Sequence, residues 1–463
     1  MPPQKRLSRK TVPSLIHPKA AGIDVGSRFH IAAIPDGLDP EPVQKFSSFT
    51  GDLKRLCDWL CKHKIDTVAM ESTGIYWIPV YELLEGAGIK VFLVNARHAK
   101  CVPGRKSDIS DAQWLQQLHS WGLLKASFQP EEGISHLRSI LRLRDNLVKS
   151  RSSHQQHIQK ALMQMNLQLH HVVNDVMGKT GRKIIDAILA GERSAEVLAG
   201  FRDRRCKNDA LVIAEALHGH FRDDHLFELS VAVRMFDEYS VQILSCEERS
   251  QKVLEDLANS KARSQAQSSI SVEPPRKRRS GYSFDPSALI NALAGTDMSR
   301  IYGLGPGNLL TIISECGTDM ERWPSAKHFT SWLGLAPQNK ISGGRILSSR
   351  TRPGSSRAAS AFWIAALAVA RSQTALGAFS RRLAARCGKP KAHIATARKL
   401  AVLFYRSVRY GIDSEDPGAA RYEEKQKRDA ITSLAKRANK LGFSLVEALQ
   451  TSPLESHVVA GVT

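Results

Sequence analysis

The stretch AGIDVGSRFHIAAI, residues 21–34, decides how the front of this chain folds. Two short apolar runs, Ala21 to Val25 and Phe29 to Ile34, flank Gly26, Ser27 and Arg28, and paired runs about a tight polar turn predict a hairpin. Val43 to Ser48 is a third candidate strand, after which Leu53, Leu56, Cys57 and Leu60 share one face at helical spacing. An apolar run ending at Met70, a helix around Val80 to Leu84, a turn at Gly86 to Gly88 and an apolar strand from Lys90 to Val94 follow. The expected order is three strands, helix, strand, helix, strand, then a helix carrying Asp108 and Asp111. That order fits a ribonuclease H-like α/β fold in its junction-resolvase (RuvC-like) variant. A doubly wound dinucleotide fold would need a Gly-rich turn after the first strand.

Beyond residue 131 the pattern changes to long polar helices with Leu137, Ile140 and Leu147, and later Leu229, Val233, Phe236 and Ile243, at helical spacings. The fold class is therefore α/β followed by all-α. The chain reads as a basic tail at 1–18, the RuvC-like unit at 19–128, a helical or coiled-coil region at 129–258, a disordered basic linker at 259–286, a mainly helical unit at 287–412 and a C-terminal tail at 413–463. The linker reading rests on SVEPPRKRRSG and on the lack of apolar periodicity around it.

Charge narrows the function. Over 463 residues, 66 Lys and Arg against 45 Asp and Glu leave a formal charge of +21, which favours a polyanionic partner, nucleic acid by default. The seven cysteines show no CxxC pair, which argues against a disulfide framework and a zinc site. No apolar run reaches the ~18 residues a bilayer span needs, and the basic start MPPQKRLSRK lacks the apolar core of a secretion signal. The expectation is a cytoplasmic, nucleoid-associated protein with no membrane partner.

Four acids stand out. Asp24 interrupts an apolar strand, where a charge is costly unless paired or metal-bound. Glu71 follows TVAM and precedes Ser72, Thr73 and Gly74, at the carboxyl end of a strand, the usual mouth of an open α/β sheet. Asp108 and Asp111 are three apart at the start of a helix and are expected to project from one face, although either also suits an N-cap or first-turn role. Phosphoryl transfer on DNA is served by carboxylates converging on two magnesium ions about 4 Å apart.

From Arg322 to Ile412 there is no Asp or Glu but there are seventeen Lys and Arg, where the average composition predicts roughly nine acids. Ordinary surfaces mix both signs, whereas a phosphate-binding surface gains from excluding anions. A nucleophile here would have no local carboxylate as base. Upstream, Gly303 and Gly305 form a Gly-x-Gly-Pro turn before a helix, which either exposes N–H groups to a phosphate or simply connects helices. Arg345, Arg350, Arg352 and Arg357 lie in or beside a Gly/Ser-rich loop and are positioned to neutralise phosphate charge.

The stretches GIDVGS, ESTGIYW and KSDISDAQWL resemble the three motif blocks of the bridge-RNA-guided insertion-sequence transposases, the one-ten family, also called DEDD-type. The stretch FTSWLGLAPQNKISGGRILSSRTRPGSSRAASAFWIAALAV resembles that family's transposase domain. The resemblance covers about residues 20–125 and 298–412. It implies that Asp24, Glu71, Asp108 and Asp111 are ligands of Mg²⁺ and that Ser342, followed by glycine shortly after a G-L-x-P segment, is the nucleophile, with Ser348, Ser349, Ser355 and Ser356 as rivals. It further implies DNA as substrate, a structured guide RNA, and a dimer or tetramer in which domains of different protomers share a site. A junction nuclease, a DNA invertase and a non-enzymatic nucleic-acid binder are the competing readings.

Overall fold

The computed structural model describes residues 15–72, 74–94, 110–264, 281–354, 356–411 and 416–446. The chain divides into two compact units, Met1–Gln129 and Pro130–Thr463. In the first, strands β1 (Ala20–Val25), β2 (Phe29–Ala33) and β3 (Val43–Ser47) precede helix α1 (Thr50–Lys62), β4 (Thr67–Glu71), α2 (Ile78–Gly86), β5 (Lys90–Val94) and α3 (Asp111–Ser120). The sheet runs β3-β2-β1-β4-β5. β1 pairs antiparallel with β2 and parallel with β4, which in turn pairs parallel with β5. This mixed sheet with helices around it is the ribonuclease H-like arrangement expected from the order of elements.

Because side chains alternate along a strand, the two faces of the sheet bury different partners. Ala21, Ile23, Val25, Val68 and Met70 pack with Leu53, Leu56 and Leu60 of α1 and with Val80 and Leu84 of α2. Ala69 and Val94 face the other way, onto Trp114, Leu115 and Leu118 of α3. β1 and β4 are thus covered on both sides, which accounts for their nearly continuous apolar sequence.

In the second unit two long helices, α4 (Glu132–Gln164) and α9 (Asp223–Ser264), run antiparallel. Gly133 meets Leu257, Arg144 bonds Glu247 and His154 stacks on Tyr239, so numbers rise on one helix as they fall on the other. Four short helices, α5 (Leu169–Val172), α6 (Lys179–Leu189), α7 (Ala195–Gly200) and α8 (Ala210–Glu215), form a head whose Ile184, Ile185, Ile188, Leu198 and Leu217 share one core with Ile158 and Leu162 of α4 and Leu229 and Val233 of α9. Helices α10 (Ser287–Ala294), α11 (Pro306–Cys316) and α12 (Ala326–Trp332) follow, then a hairpin of β6 (Lys340–Ser342) and β7 (Arg345–Ser348). Helices α13 (Arg357–Ala370), α14 (Ala375–Cys387), α15 (Lys389–Tyr410) and α16 (Gly418–Lys440) complete the unit. Phe329, Phe362, Phe404 and Tyr405 interlock at its centre, with the Tyr405 hydroxyl donating to the Trp323 carbonyl at 2.7 Å.

The linker expected at 259–286 is corrected at both ends. α9 continues through Asn259 to Ser264, and the Lys261 ammonium donates to the Leu293 carbonyl at 2.5 Å. At the other end the Ser283 amide donates to Glu247 at 2.7 Å, and the Tyr282 ring lies 4.0 Å from the Arg144 guanidinium. Polar residues extend a helix as well as apolar ones when no proline or glycine stops it, so the missing apolar period did not mark its end. The basic run Arg276 to Arg279 lies outside the described residues. The stretch read as a tail contains α16, none of whose residues is buried. Among the described residues no single helix is long and apolar enough to cross a membrane.

Candidate active site

Asp24 sits one residue before the end of β1, and Glu71 ends β4. Ile23 pairs with Met70 in the parallel register, so Asp24 and Glu71 are the next residues along two neighbouring strands. Residues paired in this way project to one face. That face is the one α3 covers: a Cβ on Gly22 would come within 2.2 Å of the Ala112 carbonyl oxygen. The first turn of α3, with Asp111, therefore starts over the carboxyl ends of β1 and β4. All three acids are half-buried.

The start of α3 is set by a capping box in which the Ser110 hydroxyl accepts from the Gln113 amide and the Gln113 side chain accepts from the Ser110 amide. Asp111 is thus the first residue of the described helix. Asp108 lies outside the described residues. Among the described residues no group of three or more His, Cys, Asp or Glu side chains is close enough to hold a metal ion. The chemistry of the expected donors, hard anionic oxygens without sulfur or imidazole, suits a hard divalent cation rather than a softer metal.

In the second unit, the segment expected to be a flexible loop around Ser342 is a two-residue hairpin. Gly343 and Gly344 have φ of 54° and 74°, both left-handed, the combination a tight turn of this hand demands and glycine supplies without strain. Ser342 pairs with Arg345 across the ladder and Ile341 with Ile346. The hydroxyl and the guanidinium therefore share one face, and the two isoleucines the other. Ser342 is exposed, and its hydroxyl makes no hydrogen bond among the described residues. Two rival serines are occupied: Ser356 caps α13 by accepting from the Ala359 amide at 3.3 Å, and Ser348 accepts from the Arg350 amide at 3.4 Å. Ser349 is exposed, and Ser355 lies outside the described residues.

Two family models match the chain, one for DEDD transposases of the IS110 family over residues 21–167 and one described as Transposase IS116/IS110/IS902 family over residues 296–381. Together they span just over half of it. The chain belongs to the IS110 family of transposases. No curated protein matches it. The transposase is accordingly a DNA recombinase, and its DEDD domain points to use of a divalent metal. The first match runs from β1 to beyond the end of α4, and the second takes in α11 to the middle of α14 with the serine hairpin between.

Two of the residues expected to meet phosphate in this transposase have other partners. Arg357, at the first position of α13, pairs with Asp145 of α4 and lies 3.3 Å from a Glu315 carboxylate oxygen. The acid-free stretch thus borrows carboxylates from elsewhere in the chain. Gly303, at φ 92°, is needed for packing, since a Cβ there would come within 2.4 Å of Val369. Gly305 caps α11 without such crowding. Arg345, Arg350 and Arg352 are exposed and make no ion pair among the described residues.

Sequence reasoning missed Gly22 as the seat of α3, although a glycine inside an apolar strand is the signal for close backbone approach. It also missed Glu315 and Asp145, for which no local signal exists.

Proposed function

We propose that this transposase breaks and rejoins the DNA of an insertion sequence through Ser342. The observation that carries the reading is a serine beside the turn of an exposed hairpin, its hydroxyl without a hydrogen bond among the described residues and Arg345 directly across from it. In the proposed step the Ser342 hydroxyl oxygen attacks a backbone phosphorus and the bond from phosphorus to the departing strand end breaks. The departing oxygen leaves as a hydroxyl, taking up the proton that serine releases, and the phosphate remains as a diester of Ser342. A strand hydroxyl attacking that ester reverses the exchange, so bond energy is conserved for rejoining. Arg345, Arg350 and Arg352 hold the non-bridging oxygens, where charge-assisted hydrogen bonds are strongest.

Asp24, Glu71, Asp108 and Asp111 are the residues proposed to hold Mg²⁺, which when bound supplies Lewis-acid polarisation of the phosphoryl oxygens. In this reading 19–128 is the carboxylate domain and 287–412 the serine domain. The acids of one copy serve the serine of another within a dimer or tetramer, and a structured RNA selects the DNA. The family resemblance and the excess of positive charge support these last parts.

Incubating Ser342→Ala protein with element-end DNA and Mg²⁺ tests the central claim on a denaturing gel. The covalent protein–DNA adduct and rejoined product are expected to vanish while DNA binding persists. Strand cleavage that continues undiminished in the variant would instead mark a nuclease working through its carboxylates alone.

A further inference from the structure

Toward the head, α4 and α9 flank an open cavity of about 330 Å³ lined by His154, His157 and Lys160 from one helix and by Phe227 and Glu228 from the other. A second, shallower cleft of about 430 Å³ follows α4 onward past Gln156, Gln159 and Gln164, and Lys160 borders both. The continuity follows from spacing, because residues three and four apart share one strip of a helix.

The first cavity is aromatic. Phe227 is 68% exposed, which leaves a face of its ring open to a ligand. The His154 ring stacks on Tyr239 at 5.4 Å and meets His157 edge-on at 5.3 Å, so it is held as a platform. Burial, and then the neighbouring His157, lower the His154 pKa from its ordinary value, which favours the neutral ring. The second cleft is mainly apolar, formed by Met163 and the stems of Gln156, Gln159 and Gln164, whose side-chain amides each carry a donor and an acceptor. Lys160, which makes no ion pair among the described residues, stands between the two.

Aromatic faces, a carboxylate and amides for base edges, and a lone ammonium at the junction match the chemistry of unpaired nucleotides, whose bases expose π faces that a duplex hides. We propose that this face of α4 and α9 binds two consecutive unpaired nucleotides. The first base stacks between Phe227 and the His154–His157 pair, the linking phosphate rests on Lys160, and the second base lies against Gln156 and Gln159. The assignment does not depend on Ser342. Such nucleotides occur both in a DNA strand opened during exchange and in the loops of a structured RNA.

Short oligonucleotides carrying 2-aminopurine, as single-stranded RNA, single-stranded DNA and duplex DNA, test the site on the full chain. Quenching is expected for single strands with both the unaltered protein and Ser342→Ala, and Phe227→Ala is expected to abolish it. Lys160→Ala is expected to weaken single-strand binding about tenfold and to lower its salt dependence. Quenching by RNA alone would assign the site to an RNA loop, by DNA alone to an opened strand, and by both to either. Equal quenching by duplex, or quenching that survives both Phe227→Ala and Lys160→Ala, would overturn the assignment.

Discussion

Asp24 and Glu71 were legible as a pair because two properties of single residues, a charge inside an apolar run and an acid at a strand's end, place them at the same level of neighbouring strands. Gly22 was not, since what demands glycine there is a helix that begins 89 residues later in the numbering, at Asp111. Gly22→Ala should cost about 1–3 kcal/mol, the usual penalty of overpacking, read as a lowered urea midpoint with Trp114 fluorescence as reporter. His119 offers a second test. It is fully buried, with Nε2 2.9 Å from the Thr67 hydroxyl. Burial, then the charges of His17 and Lys90, lower its pKa to about 4 from an ordinary 6.5. Below pH 6.5 the unfolded chain takes up a proton there that the folded chain refuses. Stability should therefore be full at neutral pH, fall as the pH drops from about 6.5 to about 4, and level off below. Urea midpoints across that range should show the slope, and His119→Gln should flatten it.

Among the elements, the five strands and their succession along the chain were readable because apolar runs, their lengths and the glycine turns between them agree locally. The serine segment was taken for a loop because Gly, Ser and Arg dominate it, yet its two glycines close a ladder in which Ser342 faces Arg345. The ladder lies almost wholly in solvent, with Ile341 and Ile346 63% and 60% exposed, so it contributes little to the stability of the unit. Gly344→Val forces a β-branched residue into a left-handed conformation. Strand transfer is expected to fall about tenfold or more, as small misplacements of reacting groups do, while the melting temperature of the chain stays put. A matching drop in melting temperature would show instead that the hairpin supports the fold.

At the scale of the whole second unit, a charge network joins the helix pair to α11 and α13, the helices before and after the serine hairpin in the chain. Arg142 holds Glu315 with both carboxylate oxygens, at 3.0 and 2.7 Å; Arg138 donates to the Glu315 carbonyl at 2.7 Å; Arg357 bridges Glu315 and Asp145. Glu315 is only 8% exposed, so removing it leaves guanidinium groups partly buried without a counter-charge. Glu315→Ala should lower stability by about 3–5 kcal/mol in chemical denaturation, and Arg357→Met in the same chain should recover part of the loss. The amino-acid sequence by itself determined the succession of strands and helices in the first unit, the long polar helices, the acid-free basic stretch and the family, because each is written in local periodicity, charge or motif. Only the tertiary structure decided that α3 sits on Gly22, that Arg357 answers to Asp145 and Glu315, and that Gly303 is spent on packing. Those choices depend on side chains far apart in the chain coming within a few ångströms, and nothing in either neighbourhood announces the other.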